Sequence, residues 1–478
     1  MKNMSHWPPG VPPHLVLPQS SLYYNLEVAA TRYPDRTAIA YYGNDISYAQ
    51  LKSEADALAG YLVGECGVAK GDRVAIFMQN SPQFVIAFYA ILRADAAVVL
   101  INTMNLLDEV RHVIADSGSK VAIFGQELAA NIAPLHGTEI EHAISACYSE
   151  YLGAATDLPV PDVASVERET VAGATLWQQA LRHAAITAAH TAGPEDLAVI
   201  PYTSGTTGIP KGCMHTHRSV MFTSIASTEF CRMAKDQVAL AALPMFHVTG
   251  LQLGVNAVVF RGATMVVMTR WDRRCAAMLI ERYKVTTWTA IPAMLIDFLA
   301  QTDLAAFDLR SMQLLTGGGA AMPKAVAERI EQLWGLPYVE GYGLSETMAP
   351  SHTNPVQRAK PQCLGIPIQD TSAIVVDPDT LEVRATGETG EILINGPQVF
   401  TGYWGRPEAT AQAFVEIDGV RWFRSGDLGY VDDEGYFFMV DRLKRMINAS
   451  GYKVWPAEVE SKLYAHPAVQ EACVIACR

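Results

Sequence analysis

At 478 residues and 50% hydrophobic content, the chain carries enough apolar material for a large core and more than one subdomain. A net charge of −13 gives no basic footprint for nucleic acid. The Pro-rich start MKNMSHWPPGVPPHLVLPQSS lacks the continuous apolar run of a secretory leader. Phe84–Ile101 is the nearest approach to a membrane span, but Arg93 and Asp95 interrupt it. No transmembrane segment and a cytoplasmic location are therefore expected. The eight cysteines form no CxxC pair, so neither zinc nor a disulfide framework is indicated. Cys473 and Cys477 would share one face of a strand.

In chain order, Gly43-Asn44-Asp45 predicts a hairpin over residues 36–46, and Ser47 with Gln50 a capping box for a helix to about Leu62. Strands are predicted at Val74–Met78, Ala96–Ile101 and Val121–Phe124, alternating with helices at Pro82–Leu92 and Leu106–Asp116. This alternation predicts an α/β fold with parallel-rich sheets. Residues 126–193 are Ala-rich and read as connecting surface helices.

After the buried strand at Leu197–Ile200 comes Tyr202-Thr203-Ser204-Gly205-Thr206-Thr207-Gly208-Ile209-Pro210-Lys211-Gly212. From Thr203 on, it holds four hydroxyls, three glycines and one lysine. Glycines let backbone N–H groups approach a ligand, hydroxyls donate to oxygen, and Lys211 adds a compact positive charge. The loop suits a polyphosphate, but two residues separate Gly208 from Lys211 and glycine follows the lysine, so it is not a Walker loop.

A second α/β series follows at Val238–Leu243, Ala263–Met268, Thr286–Ala290 and Met312–Thr316. Its strands lead into LPMFHVTG around His247 and into Gly317-Gly318-Gly319-Ala320. Taken alone, a histidine at this place is more often a satisfied structural residue than a catalyst. A glycine run at a strand's carboxyl end lets a ligand lie against bare backbone. Glu340-Gly341-Tyr342-Gly343-Leu344-Ser345-Glu346-Thr347 is either a capped helix start or a ligand turn whose carboxylate suits Mg²⁺ on phosphates.

Residues 365–440 are rich in strand and turn residues, including Thr401–Trp404, and predict a β-rich subdomain. Within it, Asp427 lies on the glycine turn Ser425-Gly426-Asp427-Leu428-Gly429, where it could serve the turn alone or accept from a ribose diol. The charged stretch from Asp441 could be a solvated linker.

In this order, YTSGTTGIPKG, LPMFHVTG, GGGA, GYGLSET, SGDLG and DRLKRMINASGYKV resemble the AMP-forming acyl-CoA synthetases of the adenylate-forming superfamily, over about residues 20–478. The resemblance implies a large domain over 1–440, then a hinge and the start of a small α+β domain over 441–478. It implies ATP, Mg²⁺, coenzyme A and a carboxylic acid as ligands and admits a homodimer. Lys211, His247 and Glu346 would be catalytic, with Mg²⁺ at Thr203 and Glu346. Ser204, Gly205, Thr206, Thr207 and Gly208 would cradle phosphates, while Gly318, Gly319, Ala320, Glu340, Gly341, Tyr342, Gly343 and Thr347 would border the adenylate, Tyr342 stacking on adenine. Asp427 and Arg442 would hold the ribose, Lys444 would be the hinge, and Gly451 would line the pantetheine channel.

Apolar Leu251, Leu253, Val255 and Val258, facing Gly319 and Ala320, suggest a tunnel for a medium- or long-chain fatty acid, with an aryl acid as second choice. A non-catalytic acyl-nucleotide binder is the rival class. The family's small domain carries a further lysine beyond the position matching Arg478, so the expectation is a truncated form with impaired chemistry that still binds nucleotide and acid.

Overall fold

Tyr42 and Gly43 both take positive φ, 44° and 93°, and so close Thr37–Tyr41 onto Asn44–Ser47 as the expected antiparallel hairpin. The computed structural model describes residues 6–153, 156–186, 188–203, 209–234, 236–445, 447–449 and 452–454, with isolated positions between 456 and 475. The Ser47 hydroxyl accepts from Gln50 N and starts the helix Tyr48–Gly64, as the capping pattern predicts.

Among the described residues the strands form an eight-stranded, a nine-stranded and a five-stranded sheet, with a separate ribbon of Ile447–Ala449 and Tyr452–Val454. In the first sheet, Leu197–Thr203, Ala97–Leu100, Arg73–Phe77 and Val121–Gly125 are adjacent and parallel. In the second, Tyr338–Tyr342, Leu314–Gly318, Thr287–Thr289, Val238–Ala241 and Thr264–Val267 are likewise parallel neighbours. The N-terminal hairpin joins this second sheet through Thr37–Tyr41, so the chain begins there, builds the first sheet, and returns. The third sheet is antiparallel and centres on Gly390–Asn395 and the long strand Val420–Val431.

One hydrophobic core joins both large sheets, containing Val98 and Val199 of the first and Ile39, Leu240 and Val266 of the second. Through it runs the helix Pro82–Arg93, every residue of which is buried. Its start follows from Ser81, whose hydroxyl accepts from Phe84 N at 3.2 Å, and from proline at the first helical position. Arg93 pairs with Asp56 at 3.4 Å and donates to the Ala188 carbonyl at 2.5 Å, so its charge is compensated inside protein. Among the described residues, no helix is long and apolar enough to cross a membrane.

The structure corrects three expectations. Residues 126–193 contribute two more strands, His142–Ala146 and Ala174–Leu176, parallel to the first sheet. His142–Ala146 is almost wholly buried, and a strand covered on both faces shows no alternation to find. Gly402–Tyr403 pairs with Met214 and Cys213 in the first sheet and so leaves the β-rich region. Cys473 lies in irregular chain with no paired strand among the described residues, and Cys477 lies outside them.

Candidate active site

Parallel strands of both sheets point their carboxyl ends toward one cleft of about 1220 Å³, the place where open α/β sheets bind ligands. Asn102 enters from beyond Ala97–Leu100, Thr203 from the end of its strand, Thr289 and Gly318 from theirs, and Gly341 and Tyr342 from the next. The third sheet closes the rim with Ser425, Gly426 and Asp427.

Lys211 opens the strand Lys211–Thr216, which turns back antiparallel on Leu197–Thr203 so that Thr203 and Lys211 are paired neighbours. Lys211 Nζ lies 4.1 Å from the centre of the Tyr403 ring, a cation–π contact that holds the ammonium at the cleft wall. The Tyr403 hydroxyl donates to Glu346 Oε1 at 2.8 Å, and the Glu346 carbonyl accepts from Phe400 N at 2.8 Å. Tyr403 thus stands between the lysine and the carboxylate. Both Tyr403 contacts follow from the pairing of Gly402–Tyr403 with Met214 and Cys213, which brings the ring alongside Lys211.

Asp427 sits in a bulge rather than a simple turn: Ser425, Gly426 and Asp427 stand opposite Ile392 alone. Gly426 supplies the positive φ of 70°. Glu391 braces the bulge, accepting from Gly426 N at 3.1 Å and taking both arms of Arg424 at 2.9 and 2.5 Å. The Asp427 carboxylate is 2% exposed, accepts from the Tyr342 hydroxyl at 2.6 Å, and faces Arg442 Nε at 3.3 Å. Burial raises its pKa, against the opposing pull of Tyr342 and Arg442.

His247 faces the cleft at the start of the helix Val248–Leu251, its Nδ1 accepting from Thr249 N at 3.3 Å. Desolvation by the surrounding walls lowers its pKa, which favours the neutral ring. Of the expected tunnel residues only Leu253 and Gly319 line the cleft. Leu251, Val255 and Val258 are buried in the core, because Thr249 and Leu253 occupy the cleft face one helical turn apart. Beside them lies a small pocket of about 20 Å³, room for roughly one water, sharing Met233, Leu243, Thr249, Leu253 and Thr289 with the cleft.

The glycine run divides in its use. A Cβ on Gly317 or Gly318 would meet the Ala290 carbonyl at 2.0 Å or the Gly341 carbonyl at 2.2 Å, so these two are required by strand packing. Gly319, with φ of 83° and only Ile291 Cγ2 within 4.0 Å of a Cβ placed there, is the one free to meet a ligand. Ala320 is exposed and outside the lining, whereas Gly343 lies within it. Glu340 and Thr347 also lie outside it. Glu340 is buried, accepts from Gln362 N at 2.8 Å, and is pushed by desolvation to a pKa of about 7. Thr347 is buried and caps its turn by accepting from Leu344 N at 2.9 Å. Ser204, Gly205, Thr206, Thr207, Gly208 and Gly451 lie outside the described residues, as does the side chain of Lys444.

Sequence reasoning passed over Tyr403, Glu391 and Arg424, all in the cleft lining. The pattern GEI at Gly390 and RSGD at Arg424 carried a usable signal: an acid and a base on predicted neighbouring strands.

Residues 26–404 match the AMP-binding enzyme family. The long-chain-fatty-acid–CoA ligase of Bacillus subtilis (strain 168) is 33% identical, over 98% of this chain and 85% of its own length. The feruloyl-CoA synthase of Amycolatopsis sp is 34% identical, over 92% and 82%. Among solved structures, the anthranilate CoA ligase AuaEII in complex with anthranoyl-AMP superposes with a TM-score of 0.84 at 25% identity, over 97% of this chain and 86% of that one.

Proposed function

From the premise that this chain belongs to the AMP-binding enzyme family, we propose that its cleft activates a medium- or long-chain fatty acid. The chain is an AMP-forming acid–CoA ligase: ATP and the acid give an acyl-adenylate and pyrophosphate, and coenzyme A then takes the acyl group as a thioester. The observation that supports the site assignment best is that Thr203, Lys211, His247, Glu346, Tyr342, Asp427 and Arg442, scattered over 240 residues of sequence, all line one cleft.

A carboxylate oxygen attacks the α-phosphorus, the bond to the bridging oxygen breaks, and negative charge grows on pyrophosphate. Lys211 and the hydroxyl residues from Thr203 onward would be the donors to that charge. Glu346 and Thr203 suit Mg²⁺, which uses one or two carboxylates and takes its other ligands from phosphate and water. The donor set fits: one carboxylate at the cleft wall, one hydroxyl, and, among the described residues, no cluster of three or more His, Cys, Asp or Glu side chains to cage a metal. Bound there, Mg²⁺ would supply charge neutralisation between the phosphates. Tyr342 offers a ring face for adenine, and Asp427 with Arg442 the ribose contacts.

The acid is already ionised at pH 7, so no general base is required, and His247 walls the carboxylate in place. In the second half-reaction the thiol sulfur attacks the acyl carbonyl and AMP leaves. Lys444 as hinge and Gly451 beside the pantetheine belong to this step as part of the proposal.

The choice of acid rests on the fatty-acid relative and on the apolar residues Met233, Leu243, Phe246, Leu253, Ile291 and Val339 in the lining. One observation favours the aryl alternative: the pocket that adjoins the cleft at Leu253 has room for only about 20 Å³. A cytoplasmic setting is supported by the free state of all seven described cysteines. A homodimer is carried by the same reading, and sedimentation would test it.

Acid-dependent exchange of pyrophosphate into ATP, measured over a panel from acetate to long-chain and aryl acids, decides between the readings. Turnover of aryl acids alone would sink the fatty-acid assignment; no exchange with any acid would leave a binding protein.

A further inference from the structure

We propose that His215 is a positioning residue, tying the turn that carries Glu346 to the strand that carries Lys211. His215 is completely buried in Lys211–Thr216, four residues along the strand from the lysine. Its Nε2 lies 2.7 Å from the Ser345 carbonyl, and its Nδ1 3.2 Å from the Ser219 hydroxyl. A carbonyl only accepts, so Nε2 carries the proton and Nδ1 is left as the acceptor. Burial lowers the ring's pKa to about 4, against the Ser345 bond that raises it, so the ring is neutral with one fixed tautomer at pH 7.

The consequence is a link between the two large sheets. The Ser345–Thr347 turn follows the second-sheet strand Tyr338–Tyr342, whereas His215 belongs to the first sheet. The bond falls one residue before Glu346, and Tyr403, also of the first sheet, donates to the Glu346 carboxylate itself. Together they set the separation between the lysine and the carboxylate. The family motif runs through Lys211 and Gly212, and the proposed function assigns His215 no part.

The inference rests on the reading of Glu346 as a group that meets Mg²⁺·ATP. Its test uses the full chain with His215→Leu, which keeps bulk and loses the donor, and His215→Gln, whose amide reaches the same carbonyl. ATP binding is titrated calorimetrically with Mg²⁺ and with chelator. In His215→Leu the Mg²⁺-dependent gain in ATP affinity falls about two- to tenfold, the effect of one hydrogen bond, while metal-free ATP affinity stays. His215→Gln recovers most of the gain. An unchanged gain in His215→Leu, or an equal loss with and without metal, overturns the role. If His215→Leu does not fold, His215→Gln and the shorter His215→Asn carry the comparison, and equal gains in those two overturn it. Absence of any Mg²⁺-dependent gain in the wild-type chain would instead defeat the reading of Glu346.

Discussion

An Asp427→Asn substitution keeps the side chain's shape and removes a charge from the part of the cleft proposed to hold the ribose. The carboxylate now accepts from the Tyr342 hydroxyl at 2.6 Å and faces Arg442 at 3.3 Å. Charge-assisted hydrogen bonds contribute about 1.5–3 kcal/mol and neutral ones about 0.5–1.5, so two ribose hydroxyls on a neutral amide lose roughly 2–3 kcal/mol in total. ATP should therefore bind about 30- to 150-fold more weakly. The fold should not suffer: burial already raises the Asp427 pKa, so neutralising it removes a desolvation cost, and Arg442 is half exposed. The assay is calorimetric titration of ATP and of 2′,3′-dideoxy-ATP into both proteins. Wild type should discriminate strongly against the dideoxy nucleotide, and the variant weakly. Equal discrimination by the two proteins would refute a ribose contact.

Three further outcomes follow from the geometry. Lys211→Ala should slow pyrophosphate exchange by about 10²–10³-fold with a much smaller loss of ATP affinity, as for a donor directed at the transition state; equal losses would mark it as a ground-state contact. Gly318→Ala places a Cβ 2.2 Å from the Gly341 carbonyl and should lower stability by about 1–3 kcal/mol in urea denaturation, with an unchanged midpoint refuting the packing argument. Glu340 has a folded pKa of about 7 against an ordinary 4.5, so the folded state holds its proton where the unfolded state has lost it. Stability then falls as pH rises from about 4.5 to 7, by up to about 3 kcal/mol, and Glu340→Gln should flatten that slope in melts taken across the range.

The parallel strands of both large sheets were legible because each is short, apolar and followed by turn residues, and the motifs sit at their carboxyl ends. His142–Ala146 was not, since a strand buried on both faces has no period to detect. The partition of the helix after His247 was also hidden: Leu251, Leu253, Val255 and Val258 are equally apolar, and only the packing partner decides that Leu253 meets the cleft while the rest meet the core. Long-range contacts were out of reach altogether. Nothing near Tyr403 announces that its hydroxyl meets Glu346, 57 residues earlier, or that its ring lies beneath Lys211. The hydrogen bond that Glu340 accepts from Gln362 N is hidden for a related reason, because a carboxylate beside a ligand loop and one bonded to backbone look alike in sequence.

The return of Gly402–Tyr403 to the edge of Lys211–Thr216 also bears on how the chain is made. Translation at about 5–20 residues per second leaves roughly ten to forty seconds between synthesis of Met214 and of its pairing partner Gly402. Throughout that interval the strand that carries Lys211 has a bare edge, open to pairing with another nascent chain. Closure of the first sheet is thus a late event in biogenesis. Ribosome-bound chains arrested before residue 402 should be cut by protease within Lys211–Thr216, and chains arrested well beyond residue 404 should resist.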